Sequence, residues 1–226
     1  MSLLYDLTSA YPHEADPLAA EAVTSYLGFD VLSVTHDMRE AVSEAFGRRG
    51  EMVTGATGPR HFDDRGGVPF PVRSFLWTAN DRTSCNAIRT FLDARKGRLV
   101  PFWVPTCCHD LRLAADAPDV ASTLTIRRAG YLDFLYSQAC RRYLAFFPPG
   151  GAMVVRKVTG GSTAGLTTEQ VTLDSAAGVA LPADGTVISY LVLCRLAEDL
   201  TTLRWFSTWG CEASIRFAEL PREVPA

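Results

Sequence analysis

The sequence has no C-x-x-C pair among its six cysteines, no glycine loop ending in Gly-Lys-Ser or Gly-Lys-Thr, no basic excess, and no apolar run that could span a bilayer. Each absence removes a class of function. Without paired cysteines a zinc ribbon or knuckle has no ligand frame. Without the lysine ending, the glycine-rich stretch GRRGEMVTGATGPRHFDDRGG cannot cradle phosphate as a P-loop does. A formal charge of −3 gives no reason to expect a nucleic-acid binder, because proteins that grip phosphates carry a basic excess. The start MSLLYDLTSAYPHEAD lacks a basic opening and breaks its apolar run at Asp6. It therefore does not read as a signal peptide, and the expectation is folding in a cytoplasm with reduced thiols.

What is present is an ordinary globular composition, 47% hydrophobic and 21% charged over 226 residues. That is enough chain for one elaborated domain with a good core. The reading assigns residues 1–40 to an N-terminal helical extension, 47–67 to a mobile loop and 68–220 to the β-rich body. The chain is organised around FLWTANDRTSCNAIRTFLDARKGRLVPFWVPTCCHDLRL, residues 75–113. A short apolar strand ends near Trp77, and a polar hinge at Asn80 to Thr83 leads into an amphipathic helix. Cys85, Ile88, Phe91 and Leu92 share one face, opposite Arg82, Asn86, Arg89, Asp93 and Lys96. Gly97 is expected to supply the left-handed position that ends the helix. Beyond it, Val100, Phe102 and Val104 alternate with Leu99 and Trp103, so both faces of an extended segment are apolar. Pro101 and Pro105 make it an edge strand or a segment pressed on another surface, either a neighbouring subunit or its own core.

Elsewhere, Asp16, Pro17 and Gly28 frame a helix over roughly 17–27, and Asp37 with Glu40 opens a second helical pattern to Phe46. Strands are expected at Val120 to Arg128, Met153 to Val158, Val171 to Asp174, Val179 to Leu181, Thr186 to Arg195, Thr202 to Thr208 and Ala213 to Phe217. The segment from Tyr131 to Phe147 reads equally as helix or strand. Runs of strands around one principal helix predict an α+β, mainly antiparallel β fold.

Candidate chemistry is sparse. Cys108, His109 and Asp110 are consecutive, and neighbours in an extended chain point to opposite faces, so they cannot pass a proton along a line. A Cys–His pair made with His13, His36 or His61 would give a small hydrolase, the reading from another class. In GSTAG the central position of a nucleophile elbow is Thr163, with no strand-to-helix pattern around it. Cys107 and Cys108 are the weak candidates for a metal or iron–sulfur site, against cysteines as small buried hydrophobes, which suits Cys85 and Cys194. The acidic pairs Asp63–Asp64 and Glu198–Asp199 read as solvated turns. No cofactor is expected.

Two stretches carry a family resemblance. The order strand, helix, then Gly-Arg-x-x-Pro-Phe-Trp-x-Pro-Thr-x-x-x-Asp-Leu, carried by Arg95, Gly97, Arg98, Phe102, Trp103, Pro105, Asp110 and Leu111, resembles a motif of distal tail or baseplate proteins. These cap the tail tube of long-tailed bacteriophages. LDSAAGVALPADGTVISYLVLCRLAEDLTTLRW is similar to their closing hairpin and strand, with Asp174, Gly178, Gly185, Arg195 and Asp199 at the motif positions. Cys107 departs from the pattern, where an aromatic residue is expected. The resemblance implies a tail-tube-like β-sandwich with a flanking helix. It implies a homo-oligomer, a hexameric ring in the virion, that docks tube, hub and tape-measure proteins, passes DNA without binding it and touches no membrane. A tail hub holding an iron–sulfur cluster is the related alternative. Phe91, Leu92, Phe102, Trp103, Pro105 and Leu111 are then the expected packing and subunit-contact residues, and Arg95 and Asp110 are expected to pair across the turn.

Overall fold

The computed structural model describes residues 25–32, 43–48, 50–53, 61–64 and 69–225. The chain is an α+β protein, mainly antiparallel β, with one principal helix. Its strands are β1 (Ser25–Tyr26), β2 (Phe29–Asp30), β3 (Ser43–Gly47), β4 (Gly50–Val53), β5 (His61–Asp64), β6 (Phe70–Ala79) and β7 (Phe102–Pro105). After the helix α1 (Arg82–Arg95) and β7 come β8 (Thr123–Arg127), β9 (Tyr143–Phe147), β10 (Val154–Thr163) and β11 (Thr168–Leu173). The last are β12 (Val187–Leu196), β13 (Leu203–Trp205) and β14 (Cys211–Glu219).

β12 is the hub because its sequence, VISYLVLCRL, is apolar on both faces and almost wholly buried. Cys194 pairs with Glu219 of β14 and with Phe102 of β7, so those two strands lie on opposite edges. Farther back, β12 pairs with β9, and the ladder continues through β10 and β11 to β8. It then closes on itself: Leu113 bridges Ile126 of β8 and Leu111 bridges Ile188 of β12. The Leu111 N–H donates to the Ile188 carbonyl at 3.2 Å, and the Arg127 N–H to the Arg112 carbonyl at 2.8 Å. Closure removes the edge that β8 would otherwise expose. On the other side, β14, β6 and β3 extend the ladder as a flanking sheet that ends at β3.

Two apolar cores result. The larger joins the barrel interior (Leu124, Ile126, Val158, Val171) to the helix and flanking sheet, where Trp77, Phe75 and Phe102 each meet Phe217 edge-on or tilted at 5.5–5.6 Å. The smaller lies on the outer face of β7, β9 and β12 around Trp103 and Tyr143, and is covered by Tyr26, Phe29, Leu220 and Val224.

The helix forms where its period predicts. Asp81 caps it, accepting from the Ser84 N–H at 2.9 Å and the Ser84 hydroxyl at 2.7 Å. Cys85 and Ile88 are buried and Phe91 and Leu92 half-buried. Its left-handed exit begins one residue earlier than expected, at Lys96 (φ 50°), and Gly97 follows at φ 64°.

Several expectations are corrected. Ser43–Gly47 is a strand, not the end of a helix over 37–46, because pairing with β6 (Ala45 opposite Val72) outweighs a weak local period. Ser25–Tyr26 is likewise extended: Leu27 (φ 48°) and Gly28 (φ 82°) turn the chain into β2, so the helix expected to reach 27 does not; its start lies outside the described residues. The loop over 47–67 contains a paired β4–β5 ladder. Val179–Leu181 forms no strand and contributes one bridge, Leu181 to Ala117. The segment left open between helix and strand is both: helical turns at Tyr131–Leu135 and Ala139–Arg141, then β9.

Candidate functional site

The two motif stretches meet in space. Arg98 and Asp199, 101 positions apart, form an ion pair at 2.8 Å, and the Arg98 backbone N–H donates to the Asp199 carboxylate at 3.0 Å. A Cβ on Gly97 would sit 2.7 Å from Asp199 Oδ1, so glycine eases this approach, and its φ of 64° is one that favours glycine. Hydrogen bonding to Arg98 holds the Asp199 carboxyl below its ordinary value. Asp199 reaches the helix because the chain bulges between β12 and β13, which lie one after the other along β14. Just behind, β7 pairs with Leu191 to Cys194 of β12. The closing turn is pinned by Arg156, whose guanidinium donates to the Ala176 and Ala177 carbonyls at 2.7 and 2.8 Å, leaving room only for Gly178 beneath it. Arg195 pairs with Glu223 at 2.7 Å.

The structure sorts the expected contact residues. Phe102, Trp103, Pro105 and Leu111 are buried within their own chain, so their side chains offer no surface to a neighbour. Phe91 stands edge-on to Phe102 at 5.1 Å, and the buried Arg95 guanidinium lies 4.9 Å over Phe91. Arg95 does not pair with Asp110. Its ion-pair partner is Asp30 of β2, while Asp110 accepts from the Thr106 hydroxyl and, at 2.8 Å, from the Tyr190 N–H. Asp110 is thus committed to the bulge that carries the chain from β7 to its Leu111 bridge.

Burial pushes the Asp110 carboxyl above its ordinary value of 3.8, more than the hydrogen bonds from Thr106 and Tyr190 pull it down. The folded protein therefore holds this proton more tightly than the unfolded chain, and Asp110 lowers stability as pH rises from about 3.8 through the raised value. Asp110→Asn, whose amide oxygen can still accept from Tyr190, is expected to flatten that part of the stability–pH curve. Urea midpoints across the acidic range check it, and an unchanged slope sinks the assignment.

The surfaces left open lie elsewhere. β3 ends the flanking sheet, and its Phe46 is 70% exposed. Met52 of β4 is 58% exposed, and Leu99 and Leu200 flank the helix exit, also exposed. These apolar side chains are exposed on separate segments.

Cys107 (φ 54°), Cys108 and His109 occupy the bulge after β7. Burial and then Asp110 raise the Cys108 thiol, the opposite of an activated thiolate. Burial and the neighbouring Cys85 push Cys211 up to about 12. Among the described residues no three His, Cys, Asp or Glu side chains gather as a metal site. His13 and His36 lie outside the described residues, as does the side chain of His61. Thr163 ends β10 rather than a strand-to-helix turn. No helix among the described residues is long and apolar enough to cross a membrane.

Sequence reasoning passed over two buried carboxylates. Glu169 accepts from the Gly130 and Leu132 N–H groups at 2.9 and 3.1 Å, holding the start of the Tyr131–Leu135 turn. Glu219 forms an ion pair with Arg73 at 2.5 Å and accepts from Arg141 at 3.1 Å. Both stand on the inward phase of a strand, Glu169 with Val171 and Leu173, Glu219 with Ile215 and Phe217. A carboxylate in an apolar alternation was the available signal.

Compared with known protein families and with curated proteins, the sequence matches no family model and no curated protein.

Proposed function

We propose that the chain is a structural component at the distal end of a phage tail, a ring-forming adaptor between tail tube and baseplate with the layered β packing of tail-tube proteins. The observation that carries the reading is the junction of the two motif stretches: Gly97 and Arg98 against Asp199, and β7 against β12. Residues that looked like a contact motif act as internal fasteners, so the ring contact falls to other surfaces. The edge of β3, which pairs on one side only among the described strands and carries the exposed Phe46, supports that assignment, since an unpaired strand edge with an apolar side chain is a template for another chain. Neighbouring copies in the ring, tube, hub and tape-measure proteins are the partners of this reading, and DNA passes through without specific binding.

Native mass by light scattering, with negative-stain images of the same sample, tests it. A closed ring of about six copies is the expected result. A trimer would transfer the reading to a tail hub. A chain that stays monomeric up to its solubility limit removes the self-assembling ring.

A further inference from the structure

The solvent face of α1 and the β13–β14 turn enclose an open cleft of about 760 Å³. Arg82, Asn86 and Arg89 line it from the helix, four and three residues apart and so on one face. Trp205, Thr208 and Trp209 line it from the turn. The Arg82 and Arg89 guanidiniums lie over the Trp205 ring at 4.6 and 5.2 Å, so the indole orders both charges toward the same space. Neither has a carboxylate partner among the described residues. Asp81, the adjacent acid, is turned to Ser84. Ser207 accepts from the Trp209 and Gly210 N–H groups at 3.1 and 2.8 Å, fixing the turn, and Trp209 remains 49% exposed.

Two ordered guanidiniums, an amide, a hydroxyl and a half-exposed indole make a site for an anion joined to a flat or apolar group. The cleft is open rather than enclosed, which suits a passing chain better than a small molecule that must be engulfed. Among the described residues the cleft presents two cations, Arg82 and Arg89, too few to track the phosphate backbone of a nucleic-acid strand. We propose that this cleft binds an acidic peptide segment of a partner protein, its carboxylates on Arg82 and Arg89 and a neighbouring aromatic or apolar side chain on Trp209. Guanidinium forks match carboxylates in pairs of hydrogen bonds, which gives the site its preference for acid over amide. The site is independent of the ring reading, since one chain supplies all of it.

Tryptophan fluorescence of the full chain is titrated with a capped peptide of alternating aspartate and phenylalanine, with its asparagine counterpart, and with a ten-nucleotide thymidine strand. The aspartate peptide is expected to bind at least tenfold more tightly than the asparagine peptide. Arg82→Gln with Arg89→Gln should remove about tenfold or more of that affinity, while Lys96→Gln at the exit of the same helix leaves it unchanged. Glutamine suits an exposed helical position, and a thermal melt confirms that the double variant folds. Equal binding of the two peptides, no saturable binding, tighter binding of the thymidine strand, or an equal loss in Lys96→Gln would each overturn the proposal.

Discussion

Glu219→Ala is expected to cost about 3–5 kcal/mol of stability, read as a fall in the urea midpoint at unchanged slope. The Glu219 side chain is 2% exposed and sits between Arg73 at 2.5 Å and Arg141 at 3.1 Å, themselves mostly buried. Removing the carboxylate leaves two guanidiniums facing each other where water cannot replace the lost partner. The pairs also join separate parts of the fold: Arg73 comes from β6, Glu219 ends β14, and Arg141 stands in the turn that leads into β9 of the barrel. Arg73 continues the series outward to Glu44 of β3 at 2.7 Å. Glu219→Gln keeps an acceptor and should cost less than the alanine change, and combining Glu219→Ala with Arg141→Met should recover part of the loss. A loss below about 1 kcal/mol in Glu219→Ala would mean that the group is solvated and fastens nothing.

Trp103→Ala is the second large effect, at about 3–5 kcal/mol. The indole is fully buried, packs on Tyr143 at 4.8 Å and on Tyr26 at 6.0 Å, and donates its N–H to the Tyr26 carbonyl at 2.8 Å. Beyond its own volume it supports the β1–β2 hairpin, whose two-residue strands cannot persist without a surface to lie on. Hydrogen exchange should accordingly speed up over residues 25–32, where the Leu32 N–H donates to the Trp103 carbonyl at 2.8 Å, as well as lowering the melting point. An aromatic residue at a subunit contact would behave otherwise: the truncated chain would keep its own stability and lose assembly. That outcome would refute burial of Trp103 within one chain.

Much of the fold was legible where local chemistry and long-range packing agree. The helix from Arg82 to Arg95 carries its cap in Asp81 and its period in Cys85, Ile88 and Phe91, and β12 is announced by an apolar run with no other place to go. What could not be read depended on partners far away in sequence. Phe46 belongs to a strand because β6 offers it an edge. Arg95 chooses Asp30 over Asp110 because β2 passes beside the helix exit, which no spacing rule contains. The apolar faces around Phe102 and Trp103 were visible as needing cover. That the cover comes from the chain's own helix on one side and its own N-terminal hairpin and C-terminal tail on the other is a fact of topology. The cleft formed by Arg82, Arg89 and Trp205 escaped for the same reason: a solvated helix face gains meaning only when the β13–β14 turn is laid against it.

The closure of the barrel also bears on the order in which the chain becomes structured. Leu113 can reach Ile126 early, across a short stretch of chain, but Leu111 must wait for Ile188, which is made much later on the ribosome. Until then β8 and the Leu111 segment are present with no partner to shut the cylinder, and every contact that ends this state spans a long loop whose closure entropy has to be met first. Refolding should therefore be slow for a chain of this size, and nascent chains stopped before β12 should be caught by chaperones or aggregate. Completing the cylinder removes that hazard, and among the described strands β3 still offers an edge to another molecule.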